Sequence, residues 1–587
     1  MSGGQFTNAS GGGIAVNILG NNNIVNARDP QFISITQALL RKQTEQDEAI
    51  RAQSEQIAGL RIELAKAVST VVSAARRHDA PAEAKHAVTA LEHGNTGPSQ
   101  KLLRKEENTA AKKIGGDRSD VAMQRHRAAE FARQQGALAY LTNVRAALEA
   151  FERAAGYEPD DVRTQIYIGD LQTALGETDD ARKTYTSAIS LATKATALSP
   201  DDPAAQHDLA ISHARLGEVL ALWGDQPAAL SEYRQALSTA ENLAEHDPNN
   251  PDWQRELAMS HDRIGGVLKV QGNLDGALGE YRKDVEIDKA LVRRDPANQD
   301  WQRDLAASHI ITGEVLHKLG DFPDALREFR EAQKIVELLA GRDKNSTRHA
   351  QDYSISHYNT NDVLMAIHAY IAQTSEASND FPSALVEYQH VLSIAQSLAK
   401  QDPNNVDWQH DEGLSHEEIG GILKMQGDLD GALSEHRQAL EIAKRLVLVD
   451  SKNTDWGREL AACHDSVGDV LKRQHDFTGA LQEFRDGIGI IQSMADLDPT
   501  NTDLQRDLSE SHGMIGALLA DQNDVVGARK EYQSALLIAA TLYARNPANI
   551  YWKDNLVSVC TDFLHLNDLG ENPARSFPVE CEPVMGQ

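Results

Sequence analysis

The chain has 587 residues, and its 87 aspartates and glutamates outnumber its 58 lysines and arginines, which gives a formal net charge of −29. Such an excess of negative charge repels polyanions, so nucleic acid and anionic membranes are excluded as expected partners and basic partners are favoured. No apolar run approaches the ~18 residues of a membrane span. The N-terminus lacks the charged and apolar regions of a secretory signal.

The cysteines are few, odd in number and without metal-ligand spacing: Cys463, Cys560 and Cys581. We therefore expect neither a disulfide framework nor a zinc site. Three such thiols fit a reducing compartment, so the expected location is the cytoplasm.

Residues 1–28 are rich in glycine and asparagine. Alternating apolar residues at 14–19, a turn at 20–23 and a return at 24–25 predict a short β-hairpin. A lone two-stranded hairpin is marginal in water, so a flexible leader is the alternative.

Residues 30–77 predict one long helix, in which Ile50, Ile57, Leu64 and Val71 recur every seven residues. This spacing favours a short coiled coil and therefore a homo-oligomer formed through this segment. An amphipathic helix folded back onto the helices that follow fits the spacing equally well.

A repeated histidine marks the region from residue 127 to 570. The seven histidines recur with a period of about 48 residues, broken by one longer step, and Cys560 falls one further period on. They are His213, His261, His309, His357, His416, His464 and His512. A fixed period means that one supersecondary unit is copied and stacked into a solenoid. We expect a helical hairpin and linker before it, at 79–126, and a disordered tail after it, at 571–587.

Each repeat carries start and stop signals for two helices. An asparagine three residues before a recurring tryptophan, as in Asn298 and Trp301, caps the first helix. A glycine such as Gly320 ends that helix in a left-handed conformation, and an Asp-Pro pair ends the second. The predicted fold is all-α, with about eight to nine helix pairs and a terminal helix.

The pattern resembles the tetratricopeptide repeat, a pair of antiparallel helices. Its glycine, alanine, aromatic and second alanine are found as Gly313, Ala325, Phe329 and Ala332. The usual unit has about 34 residues, so the unit of this chain is longer. Its length is similar to that of the long-helix variety found in kinesin light chains and in bacterial signalling and scaffold proteins. This resemblance covers about three quarters of the chain and implies a superhelix that binds other proteins.

The recurring histidines invite a metal or catalytic interpretation that their geometry disfavours. They recur once per repeat and so cannot converge on one ion, whereas their position corresponds to the packing face of the repeat. Ser260, His261 and Asp262 are adjacent on a helix, where they cannot align as a triad. Phosphate-binding, zinc-protease and nucleophile-elbow motifs are also lacking. We therefore predict no catalytic, cofactor-binding or metal residue and no enzyme.

The resemblance implies a binding surface on the concave face, at positions three before and one after the repeat glycine. The residues that carry this prediction are Asp262, Ile310, Glu314, Tyr358, Asp362, Glu417, Asp465 and Asp469. The residue types at these positions differ from repeat to repeat, whereas those at the scaffold positions stay the same. A binding groove would show this contrast, and so would an unconstrained surface. Chaperone-binding relatives grip a C-terminal carboxylate with lysine and asparagine here. Acidic and apolar residues favour a basic or amphipathic protein or peptide instead.

The leading hypothesis is therefore a non-enzymatic scaffold or adaptor that binds a protein partner. The alternative is a ligand- or partner-sensing regulator in a bacterial stress or defence signalling system.

The longer step, between His357 and His416, adds eleven residues to the period, about three helical turns. We predict a lengthened first helix that projects from the solenoid. Ile367, Tyr370 and Ile371 would then be partly exposed as a contact for a partner or a second subunit. The alternative is a tolerated loop insertion.

Overall fold

The structure, a computed structural model, describes residues 5–9, 13–17, 58–77, 80–114, 118–343, 360–450, 453–568 and 579–585. Its contacts divide into two compact units, an N-terminal unit (Met1–Thr360) and a C-terminal unit (Asn361–Gln587). Both are built almost entirely of helices. None of the described helices combines the length and the apolar character that crossing a membrane requires.

Two short strands lie near the N-terminus. β1 (Gln5–Ala9) pairs antiparallel with β2 (Gly13–Asn17), with Phe6 opposite Val16. The predicted strand at 14–19 overlaps β2, but its partner precedes it along the chain. The predicted turn and return strand at 20–25 lie outside the described residues.

Three helices precede the repeats: α1 (Ala58–Ala75), α2 (Ala82–Glu92) and α3 (Gly97–Lys112). Leu64 and Val71 of the predicted heptad pattern are buried in a core cluster with Leu91 of α2 and Leu103 of α3. This part of the segment is therefore an amphipathic helix folded back onto its own chain, and the coiled-coil alternative does not fit it. Ile50 and Ile57 lie outside the described residues.

Helix pairs follow, and in each pair we call the earlier helix the first and the later one the second. The N-terminal unit contains α4 (Arg118–Tyr140) with α5 (Val144–Tyr157), α6 (Val162–Ala174) with α7 (Thr178–Leu198), α8 (Pro203–Leu222) with α9 (Gln226–His246), α10 (Pro251–Val270) with α11 (Leu274–Arg294), and α12 (Gln299–Lys318) with α13 (Phe322–Asp343). Consecutive helices of this series pack on each other, so the core runs lengthwise through the stack.

The C-terminal unit repeats the arrangement. It contains α14 (Thr360–Ala377) with α15 (Phe381–Gln401), α16 (Val406–Gln426) with α17 (Leu429–Val449), α18 (Thr454–Arg473) with α19 (Phe477–Leu497), α20 (Thr502–Asp521) with α21 (Val525–Arg545), and the unpaired α22 (Ile550–Asp568). A 3₁₀ helix (Val579–Cys581) and the one-turn α23 (Glu582–Met585) complete it. The all-α solenoid predicted from the period is the fold of the described repeats.

The helix termini are fixed by the predicted capping residues. The side chains of the first-helix caps accept hydrogen bonds from backbone N–H groups two or three residues later: Asn250, Asn298, Asn405, Asn453, Asn501 and Asn549. Each satisfies a donor that the helix itself leaves free. Gly224, Gly272, Gly320 and Gly427 end first helices with φ of 77–85°, in the left-handed region.

The extra eleven residues of the irregular repeat lie between two helix pairs. Sixteen residues (344–359) separate α13 from α14, whereas the regular connection between α11 and α12 has four (295–298). α14 itself has 18 residues, against 20 in α12. The predicted lengthening within residues 363–377 is therefore wrong, because this described part of the helix has the regular length, and the eleven extra residues lie at 344–359, outside the described residues.

The predicted protrusion residues are consequently placed in the core. Ile367 and Ile371 are fully buried, and Tyr370 is half-buried. α14 is an ordinary first helix whose Met365 and Ala372 pack against α15 and α16. These residues offer no exposed apolar contact to a partner.

The C-terminal segment corrects two further expectations. Cys560 on α22 forms a disulfide with Cys581, with Cα atoms 5.8 Å apart. Absence of a disulfide was the wrong expectation because the described residues 579–585 pack on α22 and bring the second cysteine to that helix. The described residues 579–585 are also no disordered tail, since Cys581 is fully buried and Val584 packs on the same core cluster.

Candidate functional site

The recurring histidines form a ladder of hydrogen bonds between the two helices of each pair. In each rung, Nδ1 of a first-helix histidine donates to Oε2 of a second-helix glutamate 19 residues later, at 2.5–2.7 Å. The rungs are His213–Glu232, His261–Glu280, His309–Glu328, His368–Glu387, His416–Glu435, His464–Glu483 and His512–Glu531. We call this set the His–Glu ladder.

Each rung satisfies a buried polar group inside its own helix pair. At His309 only 3% of the side chain is exposed, and at Glu328 only 13%. Burial raises the pKa of the Glu328 carboxyl, but the hydrogen bond from His309 and its attraction outweigh burial and lower it overall. The histidines thus hold the two helices in register, which is the structural role that their spacing indicated.

His368, and not His357, is the ladder residue of the irregular repeat, so two predicted surface positions shift by eleven residues. The counterparts of Asp262 and Glu314 in this repeat are Ala369 and Gln373. Tyr358 lies outside the described residues. Asp362 lies in the first turn of α14, so it does not belong to the predicted row.

Ion pairs connect first helices of neighbouring repeats. The bridges include Arg163–Asp208 at 3.0 Å, Arg255–Asp304 at 2.7 Å, Lys269–Glu314 at 3.3 Å, Lys424–Asp469 at 3.0 Å and Arg458–Asp507 at 2.6 Å. Two residues of the predicted binding surface, Glu314 and Asp469, are therefore paired with a lysine of the preceding first helix. Their charge is partly neutralised within the chain.

A longer charge network crosses three first helices of the N-terminal unit. Arg215 lies 3.3 Å from Asp170 and 2.8 Å from Glu218, which lies 3.2 Å from Arg263. Tyr185 donates to Asp170 at 2.7 Å. Burial raises the pKa of Asp170 to about 6, against the lowering effects of Arg215 and Tyr185. This network stiffens the first-helix layer.

Asp262 belongs to a first acidic cluster, formed with Asp284, Asp288 and Asp304 from α10, α11 and α12. Burial, followed by the negative charges of Asp288 and Asp262, raises the pKa of Asp284 to about 8. Burial also raises the pKa of Asp288 to about 7, although the Ser308 hydroxyl, which donates to it at 2.7 Å, opposes the rise. Within the cluster, Arg255 forms an ion pair with Asp304 at 2.7 Å. Ile310, one helix further, is half-buried.

Asp465 belongs to a second acidic cluster, formed with Asp507 and Glu510 in the C-terminal unit. Its Oδ1 is buried without a hydrogen-bond partner. Gly487 opposite it makes room for this oxygen, since a Cβ there would lie 3.1 Å away. Burial, then repulsion from Asp507 and Glu510, raises the pKa of Asp465 to about 7.

Glu417, also on the predicted surface, forms a hydrogen bond with His436, a partner that sequence analysis missed. Nδ1 of His436, which is 2% exposed, donates to Oε2 of Glu417 at 2.8 Å. In the neighbouring repeats an aromatic ring packs against the repeat glycine. In this repeat the glycine is Gly420, and the His436 ring packs against it instead. Burial, then Glu417, raises the pKa of the Cys463 thiol. A protonated, buried thiol is a poor nucleophile, so this arrangement does not suit covalent catalysis.

Among the described residues, one group has donor atoms close enough to hold a cation. The donors of His464, Glu483 and Asp486 all lie within 4.8 Å of one another. His464 and Glu483 form an ordinary rung of the His–Glu ladder, and six other rungs form the same bond. The hydrogen bond accounts for this histidine as it does for the others.

The acidic clusters lay beyond the sequence prediction, but a signal for them existed. Asp284 stands where the neighbouring repeats have Ala236 and Ala332, and His436 stands where they have an aromatic ring. Departures from a repeat pattern at buried positions are the places to look for polar clusters.

The comparisons agree with the repeat architecture. Residues 137–193, which include α5 and α6, match the family model of the tetratricopeptide repeat, so the predicted pattern is confirmed there. Comparison with curated proteins finds no match.

Solved structures similar to this chain are helical repeat proteins of low sequence identity. The apo form of RapI is 13% identical over 69% of this chain and 97% of its own, with a TM-score of 0.40. BtubC (BKLC) from P. vanneervenii is 15% identical over 50% and 92%, with a TM-score of 0.32. YrrB, described as a TPR protein with an unusual peptide-binding site, is 17% identical over 45% and 97%, with a TM-score of 0.25. Sequence identities and TM-scores this low do not indicate what this chain binds.

Proposed function

We propose that the chain is a non-enzymatic scaffold or adaptor of the cytoplasm that holds a basic or amphipathic peptide on its concave, first-helix face. Tetratricopeptide repeats are in general protein-interaction scaffolds, which supports the class of function. Each unit contributes a surface of its own, with Asp262, Ile310 and Glu314 in the N-terminal unit and Glu417, Asp465 and Asp469 in the C-terminal unit.

The observation that carries the proposal is the state of Asp465. Its carboxylate is half-buried and is crowded by Asp507 and Glu510, and its Oδ1 lacks a hydrogen-bond partner. A lysine or arginine of a bound peptide would bind the exposed part of this carboxylate and relieve the repulsion from Asp507 and Glu510. Glu314 and Asp469 already have lysine partners, so they contribute less to such binding.

A labelled lysine- and arginine-rich helical peptide tests this proposal by fluorescence anisotropy with the full-length protein. We expect Asp465→Asn to weaken binding by about fivefold or more, since a partly buried charge-assisted bond is lost. Asp496→Asn is the matched control, because Asp496 is an exposed aspartate on the second helix of the same pair.

Binding that both substitutions weaken equally would mean that the peptide senses only the overall negative charge. Binding that neither substitution weakens would also mean that the peptide does not contact Asp465. Either result would overturn the proposed site. Repeating the titration at higher salt separates the two contributions, because screening removes long-range attraction before it removes a contact.

A homo-oligomer formed through residues 30–57 is a second part of the proposal. The heptad positions Leu64 and Val71 are buried within the chain, so self-association rests on Ile50 and Ile57. Light scattering of the full-length protein tests it: Ile50→Asp should lower the measured mass, and Arg51→Asp, off the heptad positions, should leave it unchanged. A monomer in every case would refute this part alone.

A further inference from the structure

The last rung of the ladder is covalent. Cys560 follows His512 by one repeat period, at the histidine position of α22. Cys581 comes 21 residues after Cys560, close to the 19-residue offset at which every other rung has its glutamate. A disulfide has thus taken the place of the His–Glu hydrogen bond at the last of the described helices in this phase, α22.

The segment that this disulfide fastens is short. We call residues 579–585 the C-terminal strap; it consists of one 3₁₀ turn and the one-turn α23. The strap packs on α21 and α22. Among the described residues of the strap, Cys581 and Val584 pack in a core cluster that contains Leu556 and Phe563. Helices of one turn are unstable alone, so the strap depends on the disulfide and on these few core contacts.

The third cysteine stands apart from this arrangement. Cys463 on α18 is buried and free. Burial and the nearby Glu417 raise the pKa of its thiol, which keeps it protonated and slow to react. A redox response of the chain would therefore be confined to Cys560 and Cys581.

We propose that Cys560 and Cys581 form a redox-controlled latch. The disulfide holds the strap against α21 and α22, and its reduction releases the strap and uncovers part of the terminal core cluster. In a reducing compartment, protein disulfides usually serve as transient redox sensors, which suits a bond that closes one short surface segment. Both sulfurs are fully buried, so a reductant reaches them only when the strap lifts.

The chemistry is thiol–disulfide exchange with a small dithiol. One thiolate of the dithiol attacks a protein sulfur to form a mixed disulfide, and the other protein cysteine leaves as a thiolate that takes up a proton. The second thiolate of the reductant then displaces the remaining cysteine. Two electrons pass to the protein, which ends with two thiols, and the reductant ends as a cyclic disulfide. A small disulfide such as oxidised glutathione reverses the exchange.

Hydrogen exchange with mass spectrometry on the full-length protein tests the latch in the presence of dithiothreitol and of oxidised glutathione. Alkylation under denaturing conditions should label one cysteine in the oxidised protein and three in the reduced one. Reduction should speed amide exchange in residues 579–585 by about tenfold or more, because the covalent link no longer keeps the strap at a high local concentration. Exchange in α20 should be unchanged.

Two variants complete the test. Cys581→Ala should give the fast strap exchange without any reductant. Cys463→Ala should leave the redox response as it is in the unmodified protein. A strap that stays protected after full reduction would overturn the proposal, because the disulfide would then be a passive crosslink. Failure of the two thiols to reoxidise with glutathione disulfide would overturn it as well.

Discussion

Gly265 and Gly266 are neighbours on α10 with opposite surroundings. A Cβ on Gly265 would lie 2.7 Å from Cε1 of Tyr281, which is too close, whereas a Cβ on Gly266 would meet only the Tyr281 hydroxyl at 3.8 Å. We expect Gly265→Ala to destabilise the protein by ~1–3 kcal/mol because it overpacks the helix pair. Gly266→Ala should stabilise it by ~0.5–1 kcal/mol because alanine restricts the unfolded chain.

Urea unfolding of both variants checks this pair of predictions. Substitutions of identical chemistry on adjacent residues differ only in what surrounds them, so each serves as the control of the other. Equal effects of the two substitutions would show that a glycine at position 265 is not needed to make room for the Tyr281 ring.

Asp284 should make stability depend on pH. Burial, with Asp288 and Asp262 nearby, raises its pKa to about 8, while the unfolded chain has an aspartate pKa of about 3.9. Between these values the folded state binds more protons, so stability falls as pH rises from about 4 to about 8. Asp284→Ala removes this loss, and the gain in stability should be ~1–3 kcal/mol larger at pH 8 than at pH 5.

Melting temperatures measured from pH 5 to 8.5 test the Asp284 prediction. Asp275→Ala, an exposed aspartate of the same helix, is the control and should shift the melting temperature equally at all pH values. A gain from Asp284→Ala that does not grow with pH would show that the carboxyl titrates normally in the folded protein.

At the scale of the helix pair, the rung is the feature that repeats without exception in the described regular pairs from α8 to α21. Removing His309 deletes packing and leaves the half-buried carboxylate of Glu328 with a weaker partner, the exposed Arg327 at 3.4 Å. We expect His309→Ala to cost ~2–4 kcal/mol, and a double-mutant cycle with Glu328→Ala to give a coupling energy of ~1–3 kcal/mol.

The exposed ion pair of Lys334 with Glu331, on the same second helix as Glu328, is the matched comparison. It is 67% and 46% exposed, and its cycle should give less than about 0.5 kcal/mol. Similar coupling energies for the two pairs would mean that burial adds nothing to the rung.

The helix boundaries and caps could be predicted because they depend on local chemistry. The position of the insertion could not be found from the histidines alone. His357 lies one repeat period after His309, His368 lies one period before His416, and both are followed by a glutamate at the offset of the rungs. The second helix decides between them, because Ala384 and Tyr388 are the small and aromatic residues that must face the first helix.

His475 shows a second element-scale conflict between sequence and backbone. It stands where other repeats have a glycine, and it adopts φ of 65°, a left-handed conformation that is strained for a residue with a Cβ. His475→Gly should stabilise the protein by ~0.5–1 kcal/mol, measured by urea unfolding. A loss of stability would mean that the contact of its ring with Phe477, with centroids 5.9 Å apart, outweighs the strain.

For the whole molecule, the period predicts the solenoid because a repeated apolar face is completed only by its neighbours. The acidic clusters depend on contacts between three helices, which no linear spacing encodes. The disulfide was missed for a similar reason, since it needs the chain to fold back after α22. Its signal was present, however, because Cys560 falls in the histidine phase, the position from which every described rung bonds to a residue about 19 positions later.

The stacked arrangement also predicts how far a local loss of stability spreads through the C-terminal unit. Each pair contacts only its neighbours, so the stability lost at one rung should weaken adjacent pairs and fade beyond them. We expect His416→Ala to speed amide exchange about tenfold or more in α16 and α17, less in α15 and α18, and not at all in α21. Arg445→Ala, an exposed change on α17, should leave all of these rates unchanged. Uniform acceleration through α14–α22 would show instead that the C-terminal unit unfolds as one cooperative block, with the rungs acting on the whole unit and not on their own neighbourhood.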